Sequence, residues 1–442
     1  MRSFRKVLLF FAVVILYEGV FSFLLEPVTY GHFLDIELEK DRENGKIPDM
    51  AVIGDSCTEM DFVPSVLERE LEGEGVSCVL NAGTGSQMIW GTYYYLKDLF
   101  RQYDLKYVVV GIDYGIFAAE EDYVPKRELV VLDRIKSMDI KAEYIGNCLE
   151  WQDWLQLLTS YRYRENMESM AENLKAKLEA AYREGVDTRE GTHYRERGYV
   201  YTEERGELRT RIHPAGDWRV ERISDRAMEY LDCIVDLCRE EDAELFLVAM
   251  PYTFSGIYQS ETHQPIYAFF SAYAAEKGVP FWDFNLLRDR MRLLPDSMFS
   301  DEGHLGGNGA LVCSSRLGKI MRDRLAGKDV SGYFYGSVEE MKADTEGIVA
   351  CDFGTRSCGE NGGRLIEAES IHAPDVVPEY EYWVREEGGE WVKLQEYGKS
   401  TQCRIPAAYL DGKITIQVRC RRQGDTVEWE RRTEKVREPG ME

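Results

Sequence analysis

A chain of 442 residues exceeds what one hydrophobic core organises, so two or three units are expected. Apolar residues make up 44% and charged residues 30%, the balance of a folded chain rather than a disordered one. The formal net charge of −25 argues against a nucleic-acid partner, which needs a basic face.

The first element is "MRSFRKVLLFFAVVILYEGVFSFLLEP", in which Arg2, Arg5 and Lys6 precede an apolar run from Val7 to Leu25, interrupted by Glu18, Gly19 and a serine. About 20 apolar residues can cross a bilayer as a helix, and cations in front favour an orientation with the N-terminus inside. The run is long and no A-x-A cleavage site follows it, so residues 1–27 read as an uncleaved membrane anchor. A cleaved signal peptide and a buried helix are the alternatives. With either an anchor or a signal peptide, the remainder works outside the cytoplasm. Residues 28–47 form a polar, helical linker.

Three short apolar runs follow, "MAVIGDS" (50–56), "SCVLNAGTGS" (77–86) and "KYVVVGIDYG" (106–115), separated by segments of helical periodicity. Strand–helix–strand–helix–strand is the pattern of a parallel sheet covered on both faces. Residues 150–184 read as one long amphipathic helix or two shorter ones, and 185–218 as a charged insertion rather than a sheet element; the arginines of 183–222, Arg189, Arg205 and Arg209 among them, read as a solvated loop, with an anion-binding patch as the alternative. The α/β pattern resumes with strands "AELFLVAMP" (243–251) and "PFWDFN" (280–285), and closes on "SDEGHLGGNGALVCSSRLGKIMRDRLAG". One α/β domain over 48–328 results. Residues 329–442 alternate polar and apolar side chains, with turn signals at "GG" and "DG", and predict a small antiparallel β-sandwich-like domain containing a hairpin at "YEYWVREEGGEWVKL".

Ten cysteines show no dense disulfide framework and no CxxC. Cys351/Cys358 and Cys403/Cys420 lie in strand-rich sequence and could be bridged; the others read as packed small hydrophobes. Aromatic residues at 90–95 and 151–163, among them Trp90, Tyr94, Trp151 and Trp154, read either as core cover or as a sugar-stacking surface.

The chemistry-bearing residues lie at the two ends of the α/β domain. Ser56, in Gly54-Asp55-Ser56, stands at the tip of a buried strand, in the crevice where parallel sheets bind ligands. A serine hydroxyl needs a base, usually a histidine oriented by a carboxylate. Of six histidines, His304 stands out because Asp301 precedes it by three residues. One loop turn can then present the carboxylate to Nδ1 and leave Nε2 for Ser56.

Gly54-Asp55-Ser56, "NAGTG" after the second strand, a glycine-led turn after the third, and Asp301-x-x-His304 before the last helix together resemble the SGNH/GDSL superfamily of hydrolases and acyltransferases. The resemblance covers residues 48 to about 327 and implies a three-layer, flavodoxin-like domain. It implies Ser56 as nucleophile, His304 as general base and then acid, and Asp301 as the group orienting the imidazole. It also implies the backbone N–H groups of Ser56 and Gly83 as oxyanion donors, worth about 2.7–4 kcal/mol each in other enzymes. One block departs from the family, whose G-x-N-D pattern supplies an oxyanion-hole Asn, whereas "GIDYG" places Asp113 there, beside Asp55 in the implied site. An ionised aspartate cannot donate a hydrogen bond. Asp113 turns away, or is protonated, or Gln87 or Asn81 donates in its place.

Combined with the N-terminal anchor, the chain resembles the membrane-anchored members that transfer acyl groups to cell-envelope polymers: the teichoic-acid D-alanylation protein and polysaccharide O-acetyltransferases. The expected function is ester hydrolysis or O-acyl transfer through an acyl-serine, on an acylated carbohydrate or polyol, with a membrane acyl-donor protein as a candidate partner. No metal or organic cofactor is implied. The competing class is an anchored carbohydrate-binding or assembly protein that has lost turnover.

Overall fold

The computed structural model describes residues 2–118, 124–206, 211–358, 363–410 and 412–437; Arg209 lies outside them. The three predicted runs form strands β1 (Met50–Ile53), β2 (Val79–Asn81) and β3 (Tyr107–Ile112). After a small hairpin of β4 (His193–Glu196) and β5 (Tyr199–Tyr201), strands β6 (Glu244–Ala249) and β7 (Phe281–Asp283) complete a five-stranded sheet of order β2-β1-β3-β6-β7. β1 pairs in parallel with β2 and with β3, and Met50, Ala51, Val52 and Ile53 are all inaccessible to solvent. Continuous burial along a strand means that both faces of the sheet are covered, which is why these strands read as unbroken apolar runs.

By density of internal packing the chain divides into two units, Met1–Thr202 with Glu221–Leu247, and Glu203–Val220 with Val248–Glu442. In the first, the N-terminal helix spans Arg2–Leu25 and is followed by the helix Tyr30–Glu43. Its stretch Phe4–Leu25, of mean hydropathy 2.4, is long and apolar enough to cross a membrane. The helices Ile89–Gln102 and Asp225–Glu240 pack against each other, and Trp90, Tyr94 and Tyr95 of the former are buried, so the first aromatic cluster is core. Trp151 is 80% exposed and Trp154 51%, so the second is surface.

Two expectations for this unit require correction. Residues 150–184 form no long helix. They fold as short turns and helices at Trp151–Leu157, Thr159–Arg162, Arg164–Met167, Met170–Leu178 and Ala180–Arg183, with extended backbone at Leu158 and Glu179 between them. The breaks let the chain bend around the end of the N-terminal helix, to which these pieces pack. The 185–218 stretch is also more than a solvated loop. β4 and β5 pair antiparallel, bury Tyr194, Tyr199 and Val200, and meet the sheet at the Asn81 N–H, which donates to Arg197 O at 2.9 Å. The interleaved arginines hide this apolar alternation in the sequence.

In the second unit, residues beyond 347 build two antiparallel sheets around one core. β8 (Ile348–Cys358), β9 (Gly363–His372) and β12 (Gln402–Ile405) form one sheet. β10 (Pro378–Glu386), β11 (Val392–Gly398), β13 (Ile414–Arg422) and β14 (Arg431–Arg437) form the other. Phe353, Ile366, Tyr382, Ile405 and Val418 meet between them. β10 and β11 are the predicted hairpin, with Val384 opposite Val392. All ten cysteines are free thiols. The thiols that meet are Cys351 and Cys420, one from each sheet, rather than the two pairs suggested by spacing; their mutual hydrogen bond and burial raise the Cys351 pKa. Packing of the two sheets face to face puts Cys351 and Cys420 together from opposite ends of this domain, a relation that sequence spacing does not carry.

Candidate functional site

At the ends of β1, β3 and β7 an aspartate side chain accepts the backbone N–H two residues on: Asp55 from Cys57 (3.1 Å), Asp113 from Gly115 (2.8 Å) and Asp283 from Asn285 (2.8 Å). Each caps the turn or helix that leaves the strand, satisfying a donor the helix cannot use internally. Asp55 thereby starts the helix Ser56–Asp61 and sets Ser56 as its first, half-buried residue. Gly54 is required there, because a Cβ would lie 2.3 Å from Thr58 Oγ1 and 3.1 Å from Gly111 O. Asp113 is engaged in the same way by the helix Tyr114–Phe117. Its carboxylate, an Asp55 oxygen and Cys57 Sγ converge within 4.8 Å of one another. Both carboxylates serve as caps, and this grouping alone does not make a metal site.

The loop after β2 lies against the Ser56 helix; a Cβ on Gly83 would sit 2.5 Å from Glu59 N. Asn81 ties the two together: its Nδ2 donates to Thr58 O and Phe62 O, both at 2.8 Å, and its Oδ1 accepts the Gly83 N–H at 2.9 Å. Asn81 is fully buried, with both amide hydrogens on backbone carbonyls, so it holds the loop and presents no donor outward. The Gly83 amide is engaged by Asn81 in this state. Gln87 Nε2 donates to Thr92 Oγ1 at 3.0 Å and is likewise turned inward.

Glu59, Thr84 and Gly85, which follow Ser56 and Gly83 in the chain, form one wall of a cavity of about 570 Å³; Tyr30, His32 and Arg134 lie on its other walls. The lining is rich in charged and hydroxyl groups.

In the second unit, Asp301 and His304 form the predicted pair. Asp301 Oδ2 lies 2.8 Å from His304 Nδ1, and Oδ1 accepts the backbone N–H groups of Gly303 and His304 at 2.9 Å. Burial opposes the carboxylate's charge, but the hydrogen bond and charge of His304, with the Gly303 and His304 amides, outweigh it and hold Asp301 down to about 2. Beside an ionised carboxylate Nδ1 carries the proton, leaving Nε2 as the basic nitrogen. The turn is closed by Ser300 N on His304 O (2.9 Å) and Gly306 N on Met298 O (2.7 Å).

Two residues that sequence reasoning passed over hold this turn from outside. Arg205 donates from its backbone to Phe299 O (2.8 Å), from Nε to Ser300 O (2.9 Å) and from Nη1 to Glu302 (2.8 Å). Glu204 Oε1 accepts the Asn308 N–H at the start of the helix Gly307–Leu325, a favourable place for a carboxylate. The signal for Arg205 was its membership in the arginine run, in which buried Arg197 and exposed Arg195 stand side by side and nothing in the sequence tells them apart. A second His–Asp pair, His263 Nε2 to Asp283 Oδ2 at 3.0 Å, is wholly buried and belongs to the core.

No family model and no curated protein matches the sequence. Among solved structures, the chain is similar to TesA (10% identity, 62% of this chain and 98% of that one, TM-score 0.31). It is also similar to the lipase/acylhydrolase from Enterococcus faecalis (13% identity, 62% and 96%, TM-score 0.28). A third likeness is to BT4096, a gut microbial diltiazem-metabolizing enzyme (11% identity, 78% and 70%, TM-score 0.21). At such TM-scores these likenesses carry no argument, and the functional reading rests on the residues themselves.

Proposed function

We propose that the protein is a serine-dependent ester hydrolase or O-acyltransferase of the SGNH type, anchored by its N-terminal helix and acting outside the cytoplasm on an acylated carbohydrate or polyol. The observation that carries this reading is the Asp301–His304 pair, which fixes the imidazole tautomer required of a general base.

In the proposed reaction Ser56 Oγ attacks the ester carbonyl and its proton passes to His304 Nε2. The oxyanion takes hydrogen bonds from the Ser56 and Gly83 amides, the latter exchanging Asn81 Oδ1 for the charged oxygen, a stronger acceptor. Collapse breaks the ester C–O bond, and the alcohol leaves with the proton from Nε2. Water or an acceptor hydroxyl then attacks the acyl-serine, again deprotonated by His304, and Ser56 is regenerated.

A second reading, a binding protein without turnover, draws on Asp113 at the position of an oxyanion-hole Asn and on the engaged Gly83 amide. Intact-mass analysis of the full chain treated with a fluorophosphonate, wild type against Ser56→Ala, separates the two. One adduct on wild type and none on the variant supports the enzyme; no adduct on either folded protein supports the binding reading.

A further inference from the structure

The segment 151–178 is fastened to the last turns of the N-terminal helix. A helix leaves its last four carbonyls without internal partners. Here Lys177 Nζ donates to Phe23 O (2.8 Å), Asn173 Nδ2 to Leu24 O (3.4 Å) and Leu25 O (3.3 Å), and Asn166 Nδ2 to Leu25 O (3.1 Å). Further back, the Ser160 N–H and hydroxyl both donate to the Glu18 carboxylate, so a charge within the apolar helix is held by this segment.

The same segment turns large apolar side chains outward. Trp151, Trp154, Leu155, Leu158, Met167 and Leu178 are all exposed. Leu178 also lines, with Ala171 and Leu174, a shallow apolar depression edged by Lys175 and Glu179. A soluble surface rarely gathers so much apolar area unless something covers it.

The length of the helix indicates what does. Its exposed apolar side chains run from Phe4 to Phe23, and its last turns, from Glu18 onward, carry the segment on one side. At 1.5 Å per residue the stretch Phe4–Leu25, 22 residues long, reaches about 33 Å, the thickness of a hydrocarbon core of about 30 Å. A helix that spans a bilayer therefore brings its last turns, and the segment fastened to them, to the outer leaflet. We propose that residues 151–178 are an interfacial collar seated in the outer leaflet of a lipid bilayer, around the last turns of the helix. Trp151 and Trp154 take the headgroup boundary, where tryptophan is favoured, and Lys175 extends its ammonium toward water while its stem covers apolar surface. Within 151–178 the basic residues Arg162, Arg164, Lys175 and Lys177 are balanced by Asp153, Glu165, Glu168 and Glu172, so insertion is driven by apolar area and is expected to be insensitive to salt. The proposal rests on the reading of the helix as an anchor.

The test uses the full chain reconstituted in phosphatidylcholine vesicles, with flotation as the measure of anchoring and acyl-chain-brominated phosphatidylcholine as the quencher. Part of the tryptophan emission is expected to be quenched equally at low and high salt. That quenched component is expected to be lost in the Trp151→Phe/Trp154→Phe variant, which still floats. Full flotation with no quenched component from these two residues, or their quenching by aqueous iodide instead, overturns the collar and leaves the anchor standing. Failure of the wild type to float overturns both.

Discussion

Asp301 gathers two backbone amides and an imidazole on one carboxylate, whereas the loop after β2 turns its polar groups on itself through Asn81. Both are polar turns at the ends of elements, yet they stand in different states of readiness. The Asp301 turn is set before substrate arrives, with its partners fixed by sequence neighbours three residues apart. In the proposed reaction the Gly83 amide, held by Asn81 Oδ1, would have to change partners to reach an oxyanion. The difference locates reorganisation at 81–85 and preorganisation at 299–306, and each substitution below acts on one side of that contrast.

The largest effect is expected from Asp301→Asn. Asn keeps an acceptor for the Gly303 and His304 amides, so the turn persists, but it no longer stabilises the imidazolium. A fall in kcat/KM on the order of 10³–10⁴-fold with a nearly unchanged melting temperature is expected. The pH profile gives an independent sign. Because Asp301 is held down to about 2, it stays charged throughout the neutral range, and the acid limb of activity reports His304 alone. Without the carboxylate the imidazolium loses stabilisation, so that limb moves to lower pH. Stability follows a separate rule. A depressed folded-state pKa contributes stability above the unfolded value of about 3.9, lost as pH falls toward 2. With the Asp301 side chain 45% exposed, solvent screening keeps that contribution small.

Asn81→Ala acts on the other side. It strips the carbonyls of Thr58 and Phe62 of their donor inside the core and frees the Gly83 amide. A loss of about 2–4 kcal/mol in chemical denaturation is expected, since buried groups are left unsatisfied. The contrast with Asp301→Asn is diagnostic, because one variant loses stability and the other loses rate. If Asn81→Ala leaves stability unchanged, the loop is not held as described.

Arg205→Ala is expected to be milder. It removes the side-chain donors to Ser300 O and Glu302 while the backbone bond to Phe299 O remains. The His304 turn loosens without losing a catalytic group, so fluorophosphonate labelling of Ser56 should slow about tenfold, as small misplacements in active sites do. Restoration by Arg205→Lys would be partial, because lysine cannot span both acceptors in the guanidinium's fixed geometry.

These residues also show what the sequence made legible. Ser56, Asp301 and His304 were visible because each pattern is local: an apolar strand running into Gly-Asp-Ser, and a carboxylate one turn before an imidazole. The parallel strands were visible because burial on both faces leaves no polar alternation. Asn81 was marked by "NAGTG", but as a donor to the site rather than as the inward tie it forms; Arg205 and Glu204 act across gaps of 95 to 104 residues, and nothing in their immediate neighbours marks them. The hairpin of β4 and β5 was hidden by arginines whose charge outweighed the buried Tyr194 and Val200. Cys351 and Cys420 meet through the packing of one sheet on the other, a relation that spacing does not encode.

The smallest effect, and the one that tests the contrast most finely, is expected from Asp113→Asn. The carboxylate caps Gly115 and lies close to the Asp55 carboxylate and Cys57, the residues on either side of Ser56. Asparagine caps as well as aspartate, so the melting temperature should hold. The substitution removes one of two converging negative charges and supplies an amide donor near the proposed oxyanion. If Asp113 opposes the oxyanion, the rate of acyl-serine formation from an activated ester rises by about three- to tenfold, roughly the 1 kcal/mol of a modest electrostatic contact. A fall in rate would instead mean that the carboxylate positions the Ser56 turn, and that the departure from the family pattern is an adaptation of this site.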